Sequence, residues 1–302
     1  MTMGDFTYQG YDAAALDIEY NARASVASFD DEYARLVEVS RQVTAEIPNR
    51  TGIVYDRLSG ETFDFYPAGE GAPLFVWIHG GYWRGGNAAD NAFAVPGLHA
   101  HGFSVAVLDY TLAPAVTLDE IVRQVRAAVS WLHAHRDILK IGNGPFVAGG
   151  TSAGGHLTAM LLADGWHEAF GVPRDIVAVG LDLSGLHDLT PLPHTHINAW
   201  MQFHDAMVAR NSPQFLIPRE SSAHLVASVG GLETAEFRRQ TAAYADAWRQ
   251  AGHAATVVDM PENNHFDLPL TLREPDGKLV RAVLEAYSPW SASAFPRNAR
   301  TL

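Results

Sequence analysis

The segment Gly150-Thr151-Ser152-Ala153-Gly154 constrains this chain more than any other. An apolar run, Pro145 to Ala148, precedes it, and a helix-like run, His156 to Ala163, follows it. A strand that passes through so short a turn into a helix raises the serine at the bend, where its hydroxyl can meet a substrate. The two glycines have a steric reason to be there, since a turn this tight presses the chain against its neighbours and a Cβ at either position would collide. Ser152 is the candidate nucleophile. In a chain with 26 glycines a turn holding a merely structural serine is the plainer alternative. The surrounding pattern has to decide.

Gly150 and Gly155 also have the Gly-x-x-x-x-Gly spacing of a phosphate-binding loop. That loop needs Lys and then Ser or Thr next, and the chain supplies His156 and Leu157. No Gly-x-Gly-x-x-Gly opens a helix after a strand elsewhere, so the motifs argue against nucleotide binding.

A second glycine-rich loop, His79-Gly80-Gly81-Tyr82-Trp83, directly follows the apolar run Leu74 to Ile78. Acyl transfer needs N–H donors where the carbonyl oxygen becomes negative, and glycines let a loop present its backbone there. One donor of such a hole comes from the residue after the nucleophile and the others from this earlier loop. Ala153 is the first, with Gly81 and Tyr82 the favoured loop donors. Alone, His-Gly-Gly is as readily an ordinary strand-ending turn. Two such loops in the expected order are harder to dismiss.

The rest of the chain alternates short β-rich runs with helical stretches. Residues 12 to 46 have helical spacing that Pro48 ends, and 53–56 and 62–66 flank Leu58-Ser59-Gly60 as a hairpin. Runs at 74–78, 104–108, 146–148, 176–183, 225–229 and 256–260 follow, mostly separated by helical stretches at 117–136, 153–163, 233–251 and 275–287. Runs this apolar fit strands buried between helix layers in a mostly parallel sheet. The expected organisation is one domain over 1–302, with a helical N-terminal extension at 1–50. A small cap insertion at 186–222 and a loosely packed tail at 288–302 complete it.

In a serine hydrolase of this strand order the partners follow as nucleophile, acid, base. His265, five residues past the last strand, is the candidate base, and His253 is a rival that lies before that strand. The acid belongs after 225–229, where Glu233 is the choice, with Glu236 and then Asp259 as competitors. A first-turn glutamate that merely favours the helix dipole is the alternative role for Glu233.

A formal charge of −13 disfavours nucleic acid and anionic membranes as partners, because their phosphates would be repelled. A small-molecule amide or ester suits the chain better, and self-association into a homodimer stays open. With no cysteine there is no disulfide framework and no thiol nucleophile. No apolar stretch approaches the roughly 20 residues that span a bilayer. Met1 to Tyr11 carry acid and no base, unlike a secretory n-region, which leaves the cytoplasm as the default location.

With these pieces placed, the chain resembles the kynurenine formamidase (arylformamidase) branch of the α/β-hydrolases, near the hormone-sensitive-lipase-like esterases. The resemblance runs from Tyr20-Asn21-Ala22-Arg23 to His265 and is carried most specifically by His79 to Trp83. It continues through Asp109 to Pro114, Gly150 to Leu157, Ser184 to Leu189 and Gly230 to Gln240. It implies an α/β-hydrolase fold, a triad of Ser152, Glu233 and His265, and an oxyanion hole from Gly81, Tyr82 and Ala153. It departs where relatives have a third glycine in the first loop, Arg for Thr111, and in several cases Asp for Glu233.

The implied reaction is hydrolysis of a small N-formyl or related amide, N-formylkynurenine-like or an enamide, through an acyl-enzyme and with no cofactor or metal. Tyr82 and Trp83 are expected to narrow the acyl side, and Trp200 and Phe203 of the cap to receive a planar leaving group, with His156 a further contact. His194-x-His196 and His133-x-His135 lack a clear third metal ligand. A carboxylesterase for short acyl esters needs the same triad. A non-catalytic binding protein on the same fold would be favoured by a missing triad member, and none is missing.

Overall fold

In the computed structural model, which describes residues 6 to 294, the backbone is organised by one eight-stranded sheet. The strands are β1 (Arg50–Val54), β2 (Thr62–Tyr66), β3 (Leu74–Ile78), β4 (Ser104–Leu108), β5 (Phe146–Thr151), β6 (Val177–Leu183), β7 (His224–Gly230) and β8 (Ala255–Met260). Their spatial order is β1-β2-β4-β3-β5-β6-β7-β8. Only β2 runs against its neighbours, pairing antiparallel with β1 and β4, while every other pairing is parallel.

The unbroken apolar runs follow from burial on both faces. Along β3, Leu74, Val76 and Ile78 join one core, and Phe75 and Trp77 join the other. The first core is closed by helices Leu118–Ala134, Ala153–Leu162 and Ala235–Gln250 through residues such as Val125, Leu157 and Tyr244. The second is closed by Phe29–Glu46, Val95–Ala100 and Lys278–Ala294 through Leu36, Leu98 and Val283. This is the α/β-hydrolase architecture expected from the sequence, and it brings the loops after β3, β5, β7 and β8 to the same sheet edge. Ligands of open α/β sheets bind at those carboxyl ends.

Two expectations need correction. Residues 12–46 are not one helix but Ala13–Glu19, a 3-10 turn Ala22–Ser25 and Phe29–Glu46. Capping explains the breaks: Asn21 accepts from the Ala24 amide (3.2 Å), and Ser28 accepts from the Asp31 amide (3.2 Å) ahead of an acidic first turn. The stretch from 288, expected to be a loose tail, continues the last helix as far as Ala294. Trp290 packs against the second core there. The rest of that tail, 295–302, lies outside the described residues.

The cap region follows β6 as short pieces, Leu192–His194, Asn198–Met201, Asp205–Arg210 and Pro213–Phe215. Among the described residues no helix is long and apolar enough to cross a membrane.

Candidate active site

Ser152 stands between β5 and its helix with φ 56° and ψ −119°. A side-chain-bearing residue holds that conformation only when its surroundings enforce it. They do so through glycine. A Cβ on Gly154 would overlap the Ile78 carbonyl, and one on Gly150 would overlap the Gly154 carbonyl. A Cβ on Gly80 would come within 2.7 Å of the Thr151 carbonyl. The elbow and the loop after β3 are therefore packed backbone to backbone. The Ser152 amide is tied to the Leu183 carbonyl at 2.8 Å.

Ala153 opens the helix, where first-turn N–H groups have no intrahelical acceptor. Opposite it, Gly81, Tyr82 and Trp83 follow one another with φ of 109°, 50° and 56°. Such a run in bulky residues is strained and must be held. The holding contacts come from several elements. The Tyr82 hydroxyl donates to the Tyr20 carbonyl (2.5 Å), Trp200 Nε1 donates to the Tyr82 carbonyl (3.1 Å), and the Ala113 amide donates to the Trp83 carbonyl (2.7 Å). Burial, then the charges of Glu233 and Asp17, push the Tyr82 phenol far above its usual range, so it stays a donor. Beneath the loop His79 stacks on Tyr110 at 4.2 Å, and burial lowers its pKa to about 4. It is a neutral support.

The loops after β7 and β8 are joined in the same way. The Gly231 amide donates to the Met260 carbonyl and the Leu232 amide to the Asn263 carbonyl, both at 3.0 Å. That junction brings Glu233 Oε2 to 2.6 Å from His265 Nδ1, with both residues buried. The other carboxylate oxygen, Oε1, accepts from Ser184 Oγ (2.6 Å) and the Gly230 amide (2.7 Å). With Nδ1–H committed to Glu233, Nε2 is the nitrogen left to take a proton.

The rivals are engaged elsewhere. Glu236 accepts from the Tyr20 hydroxyl and from Arg239, Asp259 lies at an exposed position of β8, and His253 is hydrogen-bonded to the Pro218 carbonyl. His194 stacks on Phe6, His196 pairs with Asp17, and His135 stacks on Trp131. Among the described residues no three His, Cys, Asp or Glu side chains are grouped to hold a metal ion.

Ser152 and His265 line one cavity of about 720 Å³, together with Gly80, Gly81 and Tyr82. Of the substrate contacts expected from sequence, Tyr82 and Trp200 line it. Trp83, His156 and Phe203 do not. The left-handed turn at Trp83 sends its indole into the interior, edge-on to His156 (5.0 Å) and Phe203 (6.2 Å). His156 is fully buried, holds the Asn211 carbonyl at 2.7 Å, and has its pKa lowered by burial to about 3. These three residues join the cap to the core behind the site.

Sequence reasoning missed a whole wall. Ala22, Arg23, Phe29, Tyr33 and Leu36 of the N-terminal segment face the cavity, as does Arg84 just beyond the glycine loop. Phe29 and Tyr33 are four residues apart on one helix, a helical spacing that could have marked a shared face. Ser184, which holds Glu233, was part of a matched motif but had no assigned role.

Residues 65–208 match the family model described as BD-FAE. The chain is 31% identical over 243 residues to the kynurenine formamidase of Salmo salar, covering 77% of this chain and 80% of that protein. It is 26% identical to the kynurenine formamidase of Drosophila melanogaster, covering 84% and 90%. A solved structure described as a putative thioesterase from Silicibacter sp. TM1040 has a TM-score of 0.77 at 28% identity, over 88% of this chain and 97% of that one. A Pyrobaculum calidifontis esterase, with TM-score 0.68 and 18% identity over 97% of each chain, shares the fold. The extent of the match to the salmon protein, on this fold, places the chain in the kynurenine formamidase family of α/β-hydrolases.

Proposed function

We propose that this chain is a serine hydrolase that removes a formyl group from a planar amine, with Ser152, His265 and Glu233 as its triad. The observation that carries the reading is the buried 2.6 Å contact of His265 Nδ1 with Glu233, made by a histidine that shares its cavity with Ser152. His265 Nε2 takes the Ser152 proton as Oγ attacks the formyl carbon. The resulting oxyanion is held by the backbone N–H groups of Ala153, Gly81 and Tyr82. The same nitrogen then protonates the departing amine, and water, deprotonated by His265, releases formate and restores Ser152. Glu233 fixes the imidazole and balances its transient charge.

The amide side of the reading is supported by the relatives named kynurenine formamidase. A planar leaving group is supported by the aromatic walls formed by Phe29, Tyr33, Trp200 and Phe266. Crowding of the acyl side rests on Tyr82 alone, since Trp83 is turned away. That leaves a second reading, a short-chain carboxylesterase, which a cavity of about 720 Å³ would accommodate.

The deciding experiment is a series of formyl, acetyl, propionyl and butyryl derivatives of one aryl amine, with matched phenyl esters. Formyl should exceed propionyl by about tenfold or more in kcat/KM, because each methylene that does not fit costs about 1–3 kcal/mol. Fastest turnover of butyryl esters with no cleaved formamide would replace this reading with the esterase.

A further inference from the structure

Two buried ionisable groups stand close to the triad without taking part in it. Asp182, near the end of β6, and His187 are both fully buried, with His187 Nε2 3.0 Å from Asp182 Oδ2. Among the described residues neither carboxylate oxygen and neither ring nitrogen makes a hydrogen bond, so the two hold each other by charge. A lone carboxylate in that interior would be strongly disfavoured, and the imidazolium opposite balances it. Exchange of such a pair for apolar side chains is often neutral or stabilising, so stability is a poor account of its presence. Its place on the backbone is a better one.

The pair closes over the turn Leu183-Ser184-Gly185-Leu186. A Cβ on Gly185 would overlap Asp182 Oδ1 and come within 2.8 Å of His187 Nε2, so the clasp rests directly on the backbone of the turn. A Cβ on Gly155, in the first turn of the helix that follows Ser152, would lie 2.5 Å from the same Asp182 oxygen. His187 is fixed from three sides. Its ring stacks on Tyr244 at 4.2 Å, its amide donates to Gln240 Oε1 (2.6 Å), and its carbonyl accepts from the Gln214 amide (3.0 Å). Tyr244 and Gln240 belong to the helix Ala235–Gln250, which begins just after Glu233.

The same turn reaches two members of the triad. The Leu183 carbonyl accepts from the Ser152 amide (2.8 Å), and Ser184, at φ 53°, donates its hydroxyl to Glu233 Oε1 (2.6 Å). A serine keeps such a backbone only where its surroundings impose it. We infer that Asp182 and His187 are positioning residues, whose ion pair imposes the Ser184 turn and through it sets Glu233 against His265. The inference rests on the triad reading. Neither residue lines the cavity, so neither acts by touching substrate.

The test uses whichever of formanilide and phenyl acetate the wild-type enzyme cleaves, together with the far-downfield proton signal of His265 Nδ1–H, identified by its loss in Glu233→Gln. Asp182→Asn removes the charge and keeps the shape. It should lower kcat about tenfold with KM within about twofold, and shift the His265 signal upfield, because a displaced catalytic group slows the chemical step more than binding. His187→Gln would strand a buried carboxylate and can unfold the chain. The second variant is therefore Asp182→Leu/His187→Phe, which makes the pair apolar and keeps a ring on Tyr244. It should fold with an unfolding midpoint near that of the wild type, yet show the same loss of kcat and the same shift.

Wild-type kcat with an unmoved signal in both variants overturns the inference, even where the midpoint falls, because the pair then only supports the fold. A loss in Asp182→Asn that the double variant fully recovers overturns it as well, since packing alone would hold the turn. Full activity of Glu233→Gln removes the triad reading and the inference with it. An inactive Glu233→Gln beside a fully active Asp182→Asn removes the inference alone.

Discussion

Ser184 Oγ donates to Glu233 Oε1 at 2.6 Å, on the opposite side of the carboxylate from His265. Ser184 is fully buried and has a φ of 53°, so a strained residue is kept where only a small hydroxyl-bearing side chain reaches the acid. A hydrogen bond to a charged group contributes about 1.5–3 kcal/mol. Ser184→Ala should therefore lower kcat about tenfold with KM nearly constant, because Glu233 can then rotate and lose its hold on the imidazole. Ser184→Thr should recover part of the rate if its methyl is accommodated. Steady-state kinetics that show a raised KM at unchanged kcat would remove Ser184 from the positioning of Glu233.

Replacing Ser152 by Ala should leave a folded protein with turnover reduced at least about a thousandfold, since the triad acts as a unit. An organophosphate should label Ser152, read by peptide mass mapping. A tenth of wild-type turnover in a pure sample, or labelling of another serine, would contradict the assignment.

Glu233→Gln and Glu236→Gln separate chemistry from stability. Glu233→Gln keeps the shape but loses the charge that balances the imidazolium, so kcat should fall by orders of magnitude. Glu236 is buried and accepts from Tyr20 at 2.7 Å and from Arg239 at 2.7 Å. Its replacement should cost about 1–3 kcal/mol of stability and leave most of kcat. The opposite ranking of the two rates would move the role to Glu236.

Gly231 faces the Pro261 backbone so closely that a Cβ would overlap the Pro261 carbonyl and lie 2.7 Å from its Cα. Backbone cannot rotate aside, so Gly231→Ala must part the two loops that bring Glu233 to His265. Overpacking of this kind costs about 1–3 kcal/mol. Activity should fall at least tenfold alongside a lowered unfolding midpoint. An unfolding midpoint reduced without loss of kcat would show that the junction stabilises the fold without setting the acid–base distance.

How much of this was legible in the sequence follows from the range of the forces involved. The elbow, the glycine loop and the order of acid and base are local patterns on strands buried on both faces, and such strands declare themselves as apolar runs. Glu233 and His265 meet because Gly230 and Gly231 permit the loops to touch. The substrate side was poorly legible because it depends on which way a side chain leaves a strained backbone. The φ of 56° at Trp83 turns its ring inward, and nothing in the local pattern of residues 79–83 forecasts that. The N-terminal wall was missed for a related reason: periodicity showed a helix at 29–46, but not that Phe29 and Tyr33 end up beside the elbow. Capping at Asn21 and Ser28, visible as residue types, was outweighed by the continuous helical spacing around them.

His79 and His156 make stability dependent on pH in a direction that can be worked out. Burial lowers their pKa values in the fold from 6.5 to about 4 and about 3 respectively. Between those values and 6.5 the unfolded chain binds more protons than the native one, so stability rises with pH. It is fully present above about 6.5 and is lost as pH falls toward 4. The structural reason is clearest at His156, whose Nε2 meets the Asn211 carbonyl while its buried Nδ1 has no partner to receive a second N–H. Each such histidine should cost about 1.4 kcal/mol at pH 5.5 relative to pH 8, from the linkage of a pKa near 6.5 in the unfolded chain. Glu61, Asp64 and Asp109, whose pKa values burial raises, act in the opposite sense, while His133, His167, His194 and His224, lowered by burial, act in the same sense, so the contribution of His156 is read from the difference between wild type and variant. Urea unfolding from pH 8 to 5.5 should thus show a falling stability, and His156→Gln, whatever its stability at pH 8, should reduce that fall by about 1.4 kcal/mol. A midpoint that drops as steeply in the variant as in the wild type would show that His156 is not held neutral by burial.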